Sequence, residues 1–266
     1  FGILDSSIEK RYYQLEDVLT TDGYLELYLD AASNSLLGEF NQDAARLNAA
    51  CVVRRNPQIQ DVYWDFDTLL DYLDAIEDSN PNRNRILYGL RAVQNLIVYE
   101  DPEWYSKAKK ILTSLFELPG CENVHVTAVG HAHLDLAWLW PIRETMRKAR
   151  RTFANFVDLA RKYPDFHFVV SQPQQLAWIR EQDPDLYREL KRLEKDGIME
   201  IIGGGWVESD TNLPGEESLA RQMLYGQKFW QEEFGHYVKT CWLPDAFGYS
   251  AGFPQILKLS GQDSFM

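Results

Sequence analysis

His131, His133 and Asp135 stand two residues apart in Gly130-His131-Ala132-His133-Leu134-Asp135, at the end of a short apolar run. In an extended segment, side chains at i, i+2 and i+4 share a face, with about 6.5–7 Å between successive members. Neighbouring members can therefore converge on one cation at about 2.0–2.2 Å, the usual distance from zinc to a His nitrogen or carboxylate oxygen. A mixed imidazole and carboxylate set suits Zn²⁺ better than Mg²⁺ or Ca²⁺. The bland alternative is a group of satisfied polar side chains at a strand end, since His and Asp also serve as caps. Three of the five histidines fall between positions 125 and 133, which favours the metal.

Other candidates occupy similar places. Asp245 follows an apolar segment and precedes a Phe-Gly turn. A carboxylate there is a metal ligand, a general base, a nucleophile or the N-cap of the next helix. Glu208 and Asp210 either line the same cleft or cap the helix that begins near Pro214. Trp138, Trp140 and Trp206 offer faces for the C–H surface of a sugar ring, or else join an aromatic core, the preferred reading for Trp140. The basic run Arg143, Arg147, Lys148, Arg150 and Arg151 lies on one predicted helix and reads as a solvated outer face. Gly203-Gly204-Gly205 lacks the spacing of a dinucleotide fingerprint and reads as a point of close backbone approach.

The elements that must position these residues follow two rhythms. From about residue 5 to 120 the pattern is helical. Phe66, Leu69, Leu70, Leu73 and Ile76 mark one amphipathic face; Ile86, Leu87, Leu90, Val93 and Ile97 a second; Tyr105, Ala108, Ile111, Leu112 and Leu115 a third. Tyr24–Leu29 and the stretch around Leu36 and Phe40 are ambiguous between strand and helix. After Gly120, apolar segments at Val124–Val129, Phe166–Val170, Ile198–Ile202 and Val238–Leu243 alternate with helical patterns. One of these carries Met146, Ala149, Phe153, Phe156, Val157 and Ala160. The next two are marked by Leu186, Leu190 and Leu193 and by Leu219, Met223 and Leu224. Phe253–Leu259 begins a further helix. This alternation predicts a parallel sheet with right-handed crossovers. In such α/β folds functional groups gather at the carboxyl ends of the strands, and all four segments deliver polar or aromatic residues there. An open parallel edge leads to the expectation that the fold continues in a longer parent protein.

Composition narrows the partners. The 266 residues are 45% hydrophobic and 25% charged, with a formal net charge of −13. That charge argues against nucleic acid and anionic membranes, both of which need a basic surface, and leaves neutral partners such as sugars or peptides. No apolar run approaches the roughly 20 residues of a membrane helix. Cys51, Cys121 and Cys241 are odd in number and widely spaced, so they build no disulfide framework or CxxC site and read as reduced, buried thiols. No Asn-x-Ser/Thr acceptor occurs, and no signal-peptide pattern opens the chain. A cytoplasmic location is expected.

Gly130-His131-Ala132-His133-Leu134-Asp135-Leu136-Ala137-Trp138 resembles the metal-binding signature of the family 38 glycoside hydrolases, the class II α-mannosidases. Gly204-Gly205-Trp206-Val207-Glu208-x-Asp210 and Leu243-Pro244-Asp245-Ala246-Phe247-Gly248-Tyr249-Ser250 resemble two further blocks, in the same order and spacing. The resemblance covers about residues 121–266. It implies an N-terminal helical region over 1–120, similar to that of the bacterial and cytosolic/vacuolar branch. Residues 121–266 would then be the first part of a seven-stranded parallel β/α barrel-like catalytic domain. Ala246 and Tyr249 depart from the Pro and His of Golgi and lysosomal members and favour the same branch.

The resemblance further implies one Zn²⁺ per active site, held by His133, Asp135 and Asp245. Asp245 would also be the catalytic nucleophile of a retaining hydrolysis of α-linked mannose from oligosaccharides. Trp138 would flank the sugar, Trp206 and Asp210 are further substrate-binding candidates, and His131 would orient a ligand from outside the metal's coordination. A retaining glycosidase needs two carboxyl groups about 5–5.5 Å apart; the family's acid/base carboxylate and a further zinc-binding His are expected downstream. The isolated chain is therefore expected to be inactive. A homo-oligomer of the full-length protein is compatible with the sequence. Two other readings stay open: a metal-dependent carbohydrate deacetylase, in which a metal-bound water attacks, and a non-catalytic sugar-binding domain.

Overall fold

The computed structural model describes residues 56–99, 101–120 and 125–266. The segments around Tyr24, Leu36 and Phe40, and Cys51 and Cys121, lie outside the described residues. Two compact units divide the chain at Val126/Thr127. No described helix is long and apolar enough to cross a membrane.

The unit within Arg46–Val126 holds three helices: α1 (Pro57–Ala75), α2 (Arg83–Val98) and α3 (Trp104–Phe116). Asn56 starts α1, its side chain accepting from the N–H groups of Gln58 at 3.0 Å and Ile59 at 3.4 Å. Pro57 at the first helical position suits that start, because its missing N–H would have had no partner there. The three amphipathic stripes meet in one cluster of Leu69, Leu73, Ile86, Leu90, Val93, Ala108, Leu112 and Leu115, joined by Val62. Stripe-edge residues such as Leu70 and Ile97 stay exposed.

The unit that includes Thr127–Met266 alternates helices with very short parallel strands. Its elements run α4 (Ile142–Lys162), β1 (Phe168–Val170), α5 (Pro173–Gln182), α6 (Pro184–Lys195), β2 (Met199–Ile201), α7 (Glu216–Phe234), β3 (Thr240–Cys241), α8 (Phe253–Leu259) and β4 (Ser264–Phe265). β1 pairs with β2 and β3 with β4, both parallel. The N–H of Gly203 donates to Thr240 O at 2.9 Å and joins the end of β2 to β3. Upstream, Gly130 bridges Phe168: Gly130 N–H donates to His167 O at 2.8 Å, and Val169 N–H donates to Gly130 O at 2.9 Å. Neighbours therefore follow chain order throughout.

The described residues form two two-stranded parallel sheets, in keeping with the expected parallel α/β alternation; a seven-stranded barrel, of which residues 121–266 were expected to be only the first part, is not seen among them. Two details differ from the sequence expectation. The strand expected over Val124–Val129 is not formed among its described residues; pairing is confined to Gly130, and Val126 and Val129 remain exposed. A strand exists through ladder bonds rather than apolar pattern, and this segment has only the one bridge. An additional helix, α5, follows β1 at once because Pro173 pre-sets its first turn.

One core holds the unit together, with Phe153, Phe168, Leu176, Ile179, Leu190, Leu193, Met199 and Trp230 at its centre. Each such side chain contributes about 1.5–3 kcal/mol by leaving water. The buried Trp230 also donates its indole N–H to Gly203 O at 2.8 Å. Gly203 has φ +69°, and a Cβ there would lie 2.6 Å from Ser171 O. The first of the three glycines is thus demanded both by its left-handed backbone and by the proximity of the neighbouring strand end. The basic run on α4 is not wholly solvated: Arg151 pairs with the buried Glu144 at 2.7 Å, and Arg150 with Asp183 at 2.9 Å.

Candidate metal centre

The site grows from the carboxyl ends of the strands. His131, His133 and Asp135 follow Gly130; Ser171 and Gln172 follow β1; Glu208 lies beyond β2; Trp242 and Asp245 follow β3. The Glu208 loop is anchored to α7, where Trp206 N–H donates to Gln222 O at 2.9 Å and Val207 N–H to Gln222 Oε1 at 3.0 Å. The Asp245 loop is steadied by Tyr249, whose hydroxyl donates to Leu243 O at 2.8 Å.

His133, Asp135 and Asp245 come together, with one ligating atom from each lying within 4.8 Å of the others. His133 Nε2 is 3.2 Å from Asp245 Oδ2 and 3.8 Å from Asp135 Oδ1. Two ligands bound to zinc at tetrahedral angles stand about 3.4 Å apart, given bonds of about 2.0–2.2 Å. The three groups therefore fit such an ion with little more than carboxylate rotation. Like charges this close repel, and a cation between them relieves that repulsion.

Glu208, with a side chain only 6% exposed, lies behind His133 and reaches its Nδ1 at 2.8 Å. Ser171 Oγ donates to the other Glu208 oxygen at 2.5 Å. Gln172, itself buried, accepts from Glu208 N–H at 3.0 Å and donates to Leu134 O at 3.1 Å. The Nε2 of His131 is 3.4 Å from Ser171 Oγ and 3.9 Å from Glu208 Oε1, and its ring meets Trp242 edge-on at 5.0 Å.

The two histidines are driven in opposite directions. The hydrogen bond to Glu208 holds the His133 imidazole above its ordinary pKa; burial opposes this, and the charges of Glu208, Asp135 and Asp245 add to it. Burial holds His131 below the ordinary value, with Glu208 opposing and His133 adding to the depression. Cys241 is buried and its thiol is pushed up to about 12 by burial and by the Glu208 charge, so it is no nucleophile.

The remaining candidates have settings of their own. Trp138 is half exposed in the loop after Asp135. Trp206 packs edge-on to Phe229 at 5.6 Å and donates its indole N–H to Gln174 at 3.0 Å, a setting continuous with the core. Asp210 accepts from the N–H groups of Asn212 and Leu213, each at 2.7 Å, and so organises its own turn. The sequence offered Glu208 only as a cleft-lining or helix-capping side chain. Its place at an equivalent strand end was the available signal; its partnership with a histidine 75 positions away was not legible.

Parallel strands in chain order, joined by helices and carrying their polar residues at one set of ends, place this unit in the α/β class. A family profile described as the glycosyl hydrolases family 38 N-terminal domain matches residues 123–266, and the chain belongs to that family. It is 34% identical over 270 residues to "Alpha-mannosidase 2C1" of Mus musculus, covering 97% of this chain and 26% of the relative. The corresponding figures for "Alpha-mannosidase" of Saccharomyces cerevisiae are 31% over 270 residues, 93% and 25%. A crystal structure of an alpha-mannosidase from Enterococcus faecalis aligns with TM-score 0.48 and 27% identity, over 52% of this chain and 16% of that one. The chain spans about a quarter of the length of the curated relatives it matches.

Proposed function

We propose that the protein carrying this chain is an α-mannosidase that removes α-linked mannose from oligosaccharides by a retaining mechanism. In this reading residues 1–120, of which 56–99 and 101–120 are described, belong to an N-terminal helical region, and 121–266 to the first part of the catalytic domain. The observation that carries the reading is the convergence of His133, Asp135 and Asp245, within 4.8 Å of one another, in a family 38 domain whose curated relatives are named α-mannosidases. His133, Asp135 and Asp245 would hold a zinc ion, which would supply Lewis-acid polarisation of sugar hydroxyls and offset the local negative charge. Asp245, on the exposed side of the group, attacks the anomeric carbon as the glycosidic C–O bond breaks, a second carboxyl group protonating the leaving oxygen; water, deprotonated by that same group, then hydrolyses the glycosyl–Asp245 ester and frees the mannose. Trp138 stacks on the sugar ring, and Trp206 and Asp210 shape the substrate side of the loop. A cytoplasmic location belongs to the same reading and rests on the branch that Ala246 and Tyr249 resemble.

The test is hydrolysis of an aryl α-D-mannoside by the intact protein, with and without a chelator, beside Asp245→Asn. Chelator-sensitive turnover that disappears in the variant supports the mechanism. Chelator-insensitive turnover, or a fully active variant, overturns it. Release of acetate from an acetylated sugar, with no glycosidase activity, would assign the site to deacetylation instead.

A further inference from the structure

We infer that Glu208 is the positioning residue of His133: it takes the Nδ1–H of the imidazole and so turns Nε2, lone pair free, toward Asp135 and Asp245. The inference deepens the metal reading of the triad and rests on it.

A histidine ligates a metal through an unprotonated nitrogen, and the other nitrogen's hydrogen bond decides which one that is. Nδ1 of His133 is 2.8 Å from Glu208 Oε2, whereas Nε2 is 3.2 Å from Asp245 and 3.8 Å from Asp135. An ionised carboxylate can only accept, so the ring must carry its proton on Nδ1 to make the shorter bond. The competing acceptor, Asp245, has a side chain 51% exposed, against 6% for Glu208. The shielded partner makes the stronger hydrogen bond, because water competes less for it.

Glu208 is also unable to turn away. Ser171 Oγ occupies its second oxygen at 2.5 Å, and Gln172 fixes its backbone N–H at 3.0 Å. The same Gln172 side chain holds the carbonyl of Leu134, the residue between His133 and Asp135. One buried amide thus clamps the segment carrying the acceptor to the segment carrying the ligand. Three side chains from two successive strand ends, Ser171 and Gln172 after β1 and Glu208 after β2, serve a single ring orientation.

The test is a long-range ¹H–¹⁵N correlation spectrum of the metal-free protein labelled at histidine, at alkaline pH where His133 is neutral. It is paired with zinc affinity measured by competition with a chromophoric chelator. The expected results are the Nδ1–H tautomer for His133 in the parent, conversion to Nε2–H in Glu208→Ala, and zinc binding weakened about 10–100-fold in that variant. Glu208→Gln, which retains an amide oxygen as acceptor, should recover part of both. An Nε2–H tautomer in the parent overturns the inference even if the alanine variant fails to fold. So does a Glu208→Ala protein with unchanged tautomer and unchanged zinc affinity, an outcome that leaves the metal reading intact. Conversely, tautomer conversion in a protein that takes up no zinc would remove the metal reading and leave the hold of Glu208 on His133 standing.

Discussion

Replacing Gln172 by Met tests whether the strand ends are tied together as described. Met keeps nearly the same volume and removes both hydrogen bonds of a side chain that is 2% exposed. Glu208 N–H and Leu134 O, now bonded at 3.0 and 3.1 Å, would each lose a partner. An orphaned buried polar group costs about 1–3 kcal/mol. Leu134 and Glu208 are only partly buried, so water recovers some of that loss, and the sum falls near 2–3 kcal/mol by the same principle. For a unit of this size the loss corresponds to roughly 4–10 °C in melting temperature. The assay is urea unfolding followed by far-ultraviolet circular dichroism, with a lower midpoint and an unchanged slope. Gln172→Glu should be worse than Gln172→Met, because it sets a second acceptor against Leu134 O and buries a charge. A loss under about 0.5 kcal/mol for Met, or a glutamate variant more stable than the methionine one, would refute the clamp.

Three further outcomes follow from the structure. Binding of a metal at His133 must displace the Nε2 proton, and Glu208, with Asp135 and Asp245, raises the pH at which that proton is held. Apparent zinc affinity should therefore be full above that raised value and fall about tenfold per pH unit below it; equal affinities at about pH 6 and pH 8 would contradict this. In the metal-free protein the sign is reversed: a raised imidazole pKa stabilises the fold below the unfolded value of about 6.5, and the benefit is lost as pH rises through the folded one. Trp230→Phe removes the bond to Gly203 O from a side chain with no exposure and leaves a void, for an expected loss of about 2–4 kcal/mol in thermal unfolding. A loss below about 1 kcal/mol would show that the strand end does not depend on that bond.

The helices were more legible than the strands, for physical reasons visible in particular residues. Phe253–Leu259 is a helix over the expected span, and the stripes through Leu69, Ile86 and Leu112 point inward because a 3.6-residue period states which face is buried. A strand needs a partner, and no pattern within Val124–Val129 says that pairing will reduce to Gly130 alone. The pair Ser264–Phe265 carries no pattern at all and is a strand because Lys239 O accepts the N–H groups of Asp263 and Ser264, and Cys241 O that of Met266. At the site, residue types and their common edge were readable from spacing, whereas the company of His133, Asp135 and Asp245 came only through the family resemblance. What stayed hidden was orientation: which imidazole nitrogen meets Glu208, that Trp206 turns to Phe229, and that Asp210 spends its oxygen on its own turn. These depend on side-chain rotamers, which spacing along a chain does not encode.

The neighbour order of the strands has a consequence for how the molecule is made. Each pairing partner is the strand just before or just after it in the chain. Synthesis from the N-terminus therefore lays down His133 and Asp135 first, then Ser171 and Gln172, then Glu208, and Asp245 after them. The groups that hold the imidazole in place emerge before the carboxylate that faces it. A chain ended between Glu208 and Asp245 would carry the positioned histidine with one acidic companion absent. The order of translation is thus also an order of assembly for the site, in keeping with the tendency of growing chains to fold from the end that appears first.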